Sequence, residues 1–290
     1  MRATQLAIII ATLYCTVAVA ADPFVSRGFV KFPTEIEVGA VSAVAVDQED
    51  NVFVLQRGKV PLLLFDKNGK FIRAFGEGLF KVPHGLRVDK AGNIWTTDNG
   101  NHVLRKFDRE GKLLTTLGTE GKPGGGESAF RAPDDLVFDA HGNLYVADSG
   151  NSRIVKLSPD GKYLMQWGSK GQKGGQFATA HSLAIDSQDR VFVGDRGNKR
   201  IQVFDSTGKH LATWDGFGNP FGMVIVGDEL LASEGDIHKI FHLSLKDGQI
   251  TTSWGDPETL KLPHLMAQDS RGMLYIAEVN GKRVQKFGRP

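Results

Sequence analysis

Three histidines share one register. His84, His181 and His264 each stand five residues ahead of an aspartate (Asp89, Asp186, Asp269) that opens a turn between two apolar runs. Neutral imidazole is a common metal ligand, and three converging imidazoles suit a zinc ion with a fourth position left for water or substrate. A second set lies ten residues after the turn aspartates: Arg57, Asn99, Ser149, Arg196 and Val279. Arg57 and Arg196 matter most. Guanidinium beside a metal cation is unfavourable unless an anion joins the two, so the pair points to a carboxylate substrate held by bidentate contacts. The neighbouring carboxylates Asp134 and Asp135 suit acid–base work, but are expected to bond blade backbone instead. His102, His141, His210, His238 and His242 fall in turns or outer strands and are expected to be solvated.

Whether the two sets meet depends on the elements that carry them. The chain repeats one unit: Asp, a turn ending in Gly-Asn or a relative, a β-rich run, an acidic residue, then a basic residue and another apolar strand. Copies open at Asp47, Asp89, Asp139, Asp186, the worn Val226 and Asp269, about 40–50 residues apart. The unit beginning at Leu183 reads as four short strands, with turns at Ser187–Arg190 and Asp205–Lys209. Six such units predict an all-β fold, a six-bladed propeller. The sixth stops after its third strand, Arg283–Phe287, so Gly28–Phe32 at the start is expected to close the ring. The residue five before each turn then forms the series Ser42, His84, Asp134, His181, Phe221, His264, which places histidine on alternate blades. Strands one and two of a blade are antiparallel, so the arginine register returns to the same rim.

Composition narrows the classes. The formal charge is +2, with 35 Lys+Arg against 33 Asp+Glu and no long basic run, which argues against nucleic acid as a partner. No stretch of the mature chain has the apolar length of a membrane span. Residues 1–20 read as a signal peptide: Arg2, an apolar run, then Ala18-Val19-Ala20 as a cleavage site. Residues 21–290 are expected to form a single domain. The one cysteine, Cys15, lies inside the leader, so the mature chain has no disulfide, as is ordinary for a secreted or periplasmic bacterial protein. A monomer acting on a small-molecule or peptide substrate with a carboxylate is expected.

The segments Asn151-Ser152-Arg153-Ile154-Val155-Lys156-Leu157 and Asn198-Lys199-Arg200-Ile201-Gln202-Val203-Phe204 resemble NHL repeats. The axial residues narrow the likeness. Leu55–Gly58, Val82–Leu86, Phe177–Leu183, Asp195-Arg196 and Leu262–His264 resemble, in order, the peptidyl-α-hydroxyglycine α-amidating lyase family, over nearly the whole mature chain. The resemblance implies a six-bladed propeller that cleaves peptidyl-α-hydroxyglycine to a peptide amide and glyoxylate. It implies zinc on His84, His181 and His264, substrate binding by Arg57 and Arg196, and a structural calcium on backbone carbonyls matching Val44 and Leu86. Two departures stand out. The family's catalytic tyrosine belongs in the loop after Asp148, which here reads Ser149-Gly150-Asn151, and its calcium-binding aspartate is Leu265. The alternative is a non-catalytic propeller that binds a ligand or protein on its upper face.

Overall fold

The computed structural model describes residues 23–290. The leader at 1–20, with Cys15, lies outside the described residues. Six four-stranded antiparallel sheets make up the chain. Their innermost strands are Val41–Val46, Pro83–Val88, Pro133–Phe138, Ala180–Ile185, Pro220–Val226 and Pro263–Gln268, and these pack side by side around one axis. Among the described residues no helix is long and apolar enough to cross a membrane.

The repeat signature has a physical reason at each position. The turn aspartate accepts two backbone N–H groups ahead of it: Asp89 Oδ1 takes those of Ala91 and Asn93 at 2.9 Å each, and Asp139, Asp186 and Asp269 repeat the pattern. A carboxylate therefore closes the first hairpin of most blades. The acid that ends the second strand does something different: it accepts the backbone of the loop arriving from the previous blade. Asp98 holds Lys81 and Val82, Asp195 holds Ala178 and Thr179, and Glu278 holds Lys261. The basic residue that follows pairs with this acid, as Arg105 does with Asp98 at 2.9 Å and Arg153 with Asp148 at 2.7 Å. Each of the three loops so held leads directly into a histidine.

Blades adhere through apolar faces. Val137, Tyr145 and Ile154 of the third meet Phe177, Leu183, Val193 and Phe204 of the fourth, all buried. Each such side chain stabilises the ring by roughly 1.5–3 kcal/mol. Inner and middle strands are covered on both faces, whereas the outermost strands are half exposed, as in Leu113–Leu117. The ring closes as expected in kind but not in register. The outer strand of blade six is Val25–Phe29 rather than Gly28–Phe32, pairing Val25 with Gly288 and Phe29 with Gln285 across an irregularity. Val30 still donates to the Val284 carbonyl, and Phe32 has turned away to pack edge-on against Phe65 of blade one.

Candidate metal centre on the propeller axis

His84, His181 and His264 lie at the start of the innermost strands of blades two, four and six, and all three are buried. Their ligand atoms lie within 4.8 Å of one another. The ring centroids are 4.9, 4.9 and 5.1 Å apart, each pair near edge-to-face. The three imidazoles thus meet at one point on the axis.

The intervening blades orient these rings. His84 Nδ1 lies 2.8 Å from the Asp134 carbonyl oxygen, His181 Nδ1 2.7 Å from that of Phe221, and His264 Nδ1 2.6 Å from that of Ser42. A carbonyl can only accept, so each Nδ1 carries the proton and donates it. Each Nε2 is then a bare lone pair. His181 Nε2 is fully buried without a hydrogen-bond partner, an uncommon condition for a polar atom. The six-residue series is thus used whole: alternate blades give an imidazole, and the blades between give the carbonyl that fixes its tautomer. Close approach of neighbouring strands is needed for this. A Cβ on Gly85 would sit 2.7 Å from the Asp134 oxygen, and one on Gly222 would collide with the His264 carbonyl.

Electrostatics keep the rings neutral. Burial, with Arg57 next, pushes His84 down to about 3. Burial, reinforced by the neighbouring histidines, holds His181 and His264 well below the ordinary imidazole range. Three neutral imidazoles, each with a carbonyl behind Nδ1 and a bare Nε2 in front, are the donor set a divalent transition metal takes, and the residues fit zinc.

The second register returns to this rim. The backbone N–H of Arg57, Asn99, Arg196 and Val279 donates to the loop that leads into the inner strand of the same blade. Arg57 Nε donates to the Pro83 carbonyl at 3.3 Å, and the Arg196 guanidinium lies 5.0 Å above the Phe221 ring. Neither has a carboxylate within 4.0 Å among the described residues. Arg57 is open to water on one side, while the protein packed around it lowers its pKa and Asp134 opposes that shift.

Asp134 departs from expectation. Its carbonyl does bond a neighbouring blade, but its carboxylate points at the centre, with Oδ1 3.7 Å from His84 Nε2. Asn99 Nδ2 donates to one oxygen, and Ser149 Oγ lies 2.6 Å from the other. Burial raises Asp134 to about 6, opposed by those two contacts and by Arg196 and Arg57. Ser149 Oγ also touches the Ala180 carbonyl. One hydroxyl proton cannot serve two acceptors, so Ser149 donates to only one of them at a time. Asp135 points away, into the channel below, where it meets Arg87. The sequence signal for Asp134 was its place in the histidine register.

Three of the remaining histidines also differ from expectation. His242 is buried, its Nδ1 2.9 Å from Glu229 Oε2 and its Nε2 accepting from Trp254 at 3.0 Å. His102 and His238 accept the backbone N–H of Ala132 and Leu262, at 3.1 Å each, and so hold loops between blades.

Fold and rim together describe a six-bladed β-propeller with NHL repeats. The NHL repeat pattern matches residues 80–107, 130–157 and 177–204, which lie in blades two, three and four. No curated protein sequence matches. Among solved structures, a streptogramin B lyase superposes with a TM-score of 0.69 at 16% identity, covering 92% of this chain and 98% of that one. Virginiamycin B lyase from Staphylococcus aureus, a catalytically inactive variant with quinupristin, superposes at 0.65 and 16% identity, covering 91% and 83%. A chain of a nidogen/laminin complex superposes at 0.66 and 16% identity, covering 78% and 84%. At such identities the likeness is one of fold.

Proposed function

We propose that this chain is an exported zinc enzyme of the amidating-lyase type, splitting the C–N bond of a peptide ending in α-hydroxyglycine to give a peptide amide and glyoxylate. The observation that carries the reading is the trio of buried imidazoles with protonated Nδ1 and bare Nε2, meeting under two arginines that lack a carboxylate partner. That some propellers of this shape are lyases is consistent with it.

In this reading Arg57 and Arg196 bind the substrate carboxylate through charge-assisted hydrogen bonds. That places the carbinol carbon next to it over the three imidazoles. Zinc, when bound to His84, His181 and His264, supplies a Lewis acid for the carbinol oxygen. The hydroxyl proton must leave as the carbonyl of glyoxylate forms, and the departing amide nitrogen must gain one. The tyrosine implied by the resemblance is missing, and Asp134 is the group of this chain at that rim. It is held in place by Asn99 and Ser149 and positioned to take the first proton. Phe221, beneath Arg196, gives the rim one apolar wall.

The test is direct. The purified mature protein, expected to begin at Ala21, should hold one zinc per chain and release glyoxylate from an α-hydroxyglycine peptide. Zinc without glyoxylate would leave the metal centre and overturn the reaction in favour of a binding propeller. Absence of zinc after purification in metal-replete medium would overturn both.

A further inference from the structure

Below the imidazoles, the channel holds a cation of the protein's own. Arg87 follows Leu86 on the innermost strand of blade two and turns its side chain inward, over a cavity of about 290 Å³ that is otherwise mostly apolar. Its guanidinium reaches three blades. Nη1 donates to the Leu86 carbonyl at 2.9 Å, and Nη2 donates to Asp135 Oδ2 at 2.7 Å and lies 3.4 Å from the Leu183 carbonyl. Asp135 is fully buried and is itself committed: Oδ2 accepts from Leu183 N at 3.0 Å and Oδ1 from Leu136 N at 2.9 Å. Arg87 and Asp135 thus tie the consecutive blades two, three and four together along one side of the channel.

This arrangement competes with a calcium ion at the same level. Calcium takes six to eight oxygen ligands, carboxylates prominent among them. Of the two carbonyls expected to serve, that of Leu86 already accepts from a positive group. Blade six offers Leu265, fully buried in an apolar cluster with Ala43 and Leu86, where a carboxylate would be required. A divalent cation at Leu86 would have to displace the guanidinium and strip Asp135 of its partner. The residues do not fit calcium.

We propose that the Arg87 guanidinium is the structural cation of this channel, in the place where the family resemblance puts a calcium ion. The inference is independent of whether zinc or lyase activity is found above it. A cation that compensates a buried carboxylate leaves a characteristic signature. Removing it strands the carboxylate, and removing both restores part of what was lost.

The experiment is a set of thermal melts on the full mature chain, with calcium equilibrium dialysis alongside. The wild-type melting temperature should not move with millimolar calcium, and the chain should retain no calcium on dialysis. Arg87→Ser should lower the melting temperature by several degrees, and Arg87→Ser/Asp135→Asn should recover part of that loss, since Asn keeps one of the two oxygens that accept from Leu183 and Leu136. Stoichiometric calcium binding by the wild type, or its stabilisation by calcium, overturns the inference. So does an Arg87→Ser chain as stable as the wild type, or a double variant with no recovery, which would assign Arg87 to packing alone. Should Arg87→Ser fail to fold, Arg87→Lys keeps the charge without the fork. It should fold with a lowered melting temperature and remain indifferent to calcium, and any stabilisation of it by calcium again overturns the inference.

Discussion

His264 Nδ1 donates to the Ser42 carbonyl at 2.6 Å, across 222 residues of sequence and across the seam where blade six meets blade one. The same bond that aims one imidazole at the axis also registers the last blade against the first. The imidazole cluster and ring closure are therefore coupled, and changes at one should be felt at the other.

Loss of any one imidazole should abolish tight zinc binding, because two neutral nitrogens leave half the coordination sphere to water. His181→Ala, His84→Ala and His264→Ala are each expected to emerge from gel filtration without zinc. Each should also lower the melting temperature of the metal-free protein, since each removes a buried bond between blades, and His264→Ala removes the one at the seam. Zinc retained in full by His181→Ala would mean the ion is held elsewhere.

Arg57→Ala and Arg196→Ala should keep their zinc and lose turnover. Each removes hydrogen bonds from a charged group, worth about 1.5–3 kcal/mol, so kcat/KM should fall roughly 10- to 100-fold per substitution. The loss should be much smaller on a substrate analogue in which the carboxylate is replaced by an amide. Equal losses on both substrates would argue that these arginines hold the rim together instead of binding an anion.

The pH dependence of the metal-free protein follows from the buried groups. The imidazole pKa values are depressed on folding, so their contribution is fully present above about pH 6.5 and is lost as pH falls, when the unfolded chain takes up protons the fold refuses. For His84 alone, a shift from 6.5 to about 3 corresponds to on the order of 4–5 kcal/mol at full effect. Asp134 and Asp135, raised to about 6, act in the opposite sense and shed their burial cost as pH falls through that value. Three imidazoles outweigh two carboxylates. Urea midpoints of the chelator-treated protein should therefore be lower at pH 5 than at pH 7, and a flat profile would contradict neutral buried histidines.

Asp98→Ala should cost more than an average surface change. It releases the backbone of Lys81 and Val82 and leaves Arg105, which is only 2% exposed, with the exposed Glu120 as its remaining carboxylate. Breaking such a pair from one side costs about 3–5 kcal/mol. Denaturant titration should show that loss, and the loop leading into His84 should exchange its amides faster. The corresponding change at Asp205, in an exposed outer turn, should cost far less.

Blade number, strand order and the place of the two rim registers could be read from the sequence because each rests on local chemistry. Asp89 and its counterparts close turns with their own backbone, and alternating apolar residues mark strands covered on both faces. Asp134, Arg87 and His242 were not legible in the same way. Asp134 owes its inward aim to Asn99 and Ser149, and Arg87 owes its place to Asp135, 48 residues away. His242 lies on a third strand, at a position that half-buried Lys106 and Lys156 fill in other blades, and here Trp254 and Phe24 cover it. These are contacts between distant segments, and spacing alone does not encode them. The closing strand slipped for a related reason: Phe32, which reads as strand, is worth more packed against Phe65 than paired at an edge.

Alternation of imidazole and carbonyl around the axis places a constraint of parity on the molecule. The structural unit is one blade, but the unit of the site is two, one to give the ligand and one to orient it. A ring with an odd number of blades can close its sheets as well as this one, yet somewhere in it two donors or two acceptors must stand side by side. Gain or loss of a single blade would therefore preserve a propeller and break the centre, whereas exchange of blades in adjacent pairs would leave each histidine facing the carbonyl it requires.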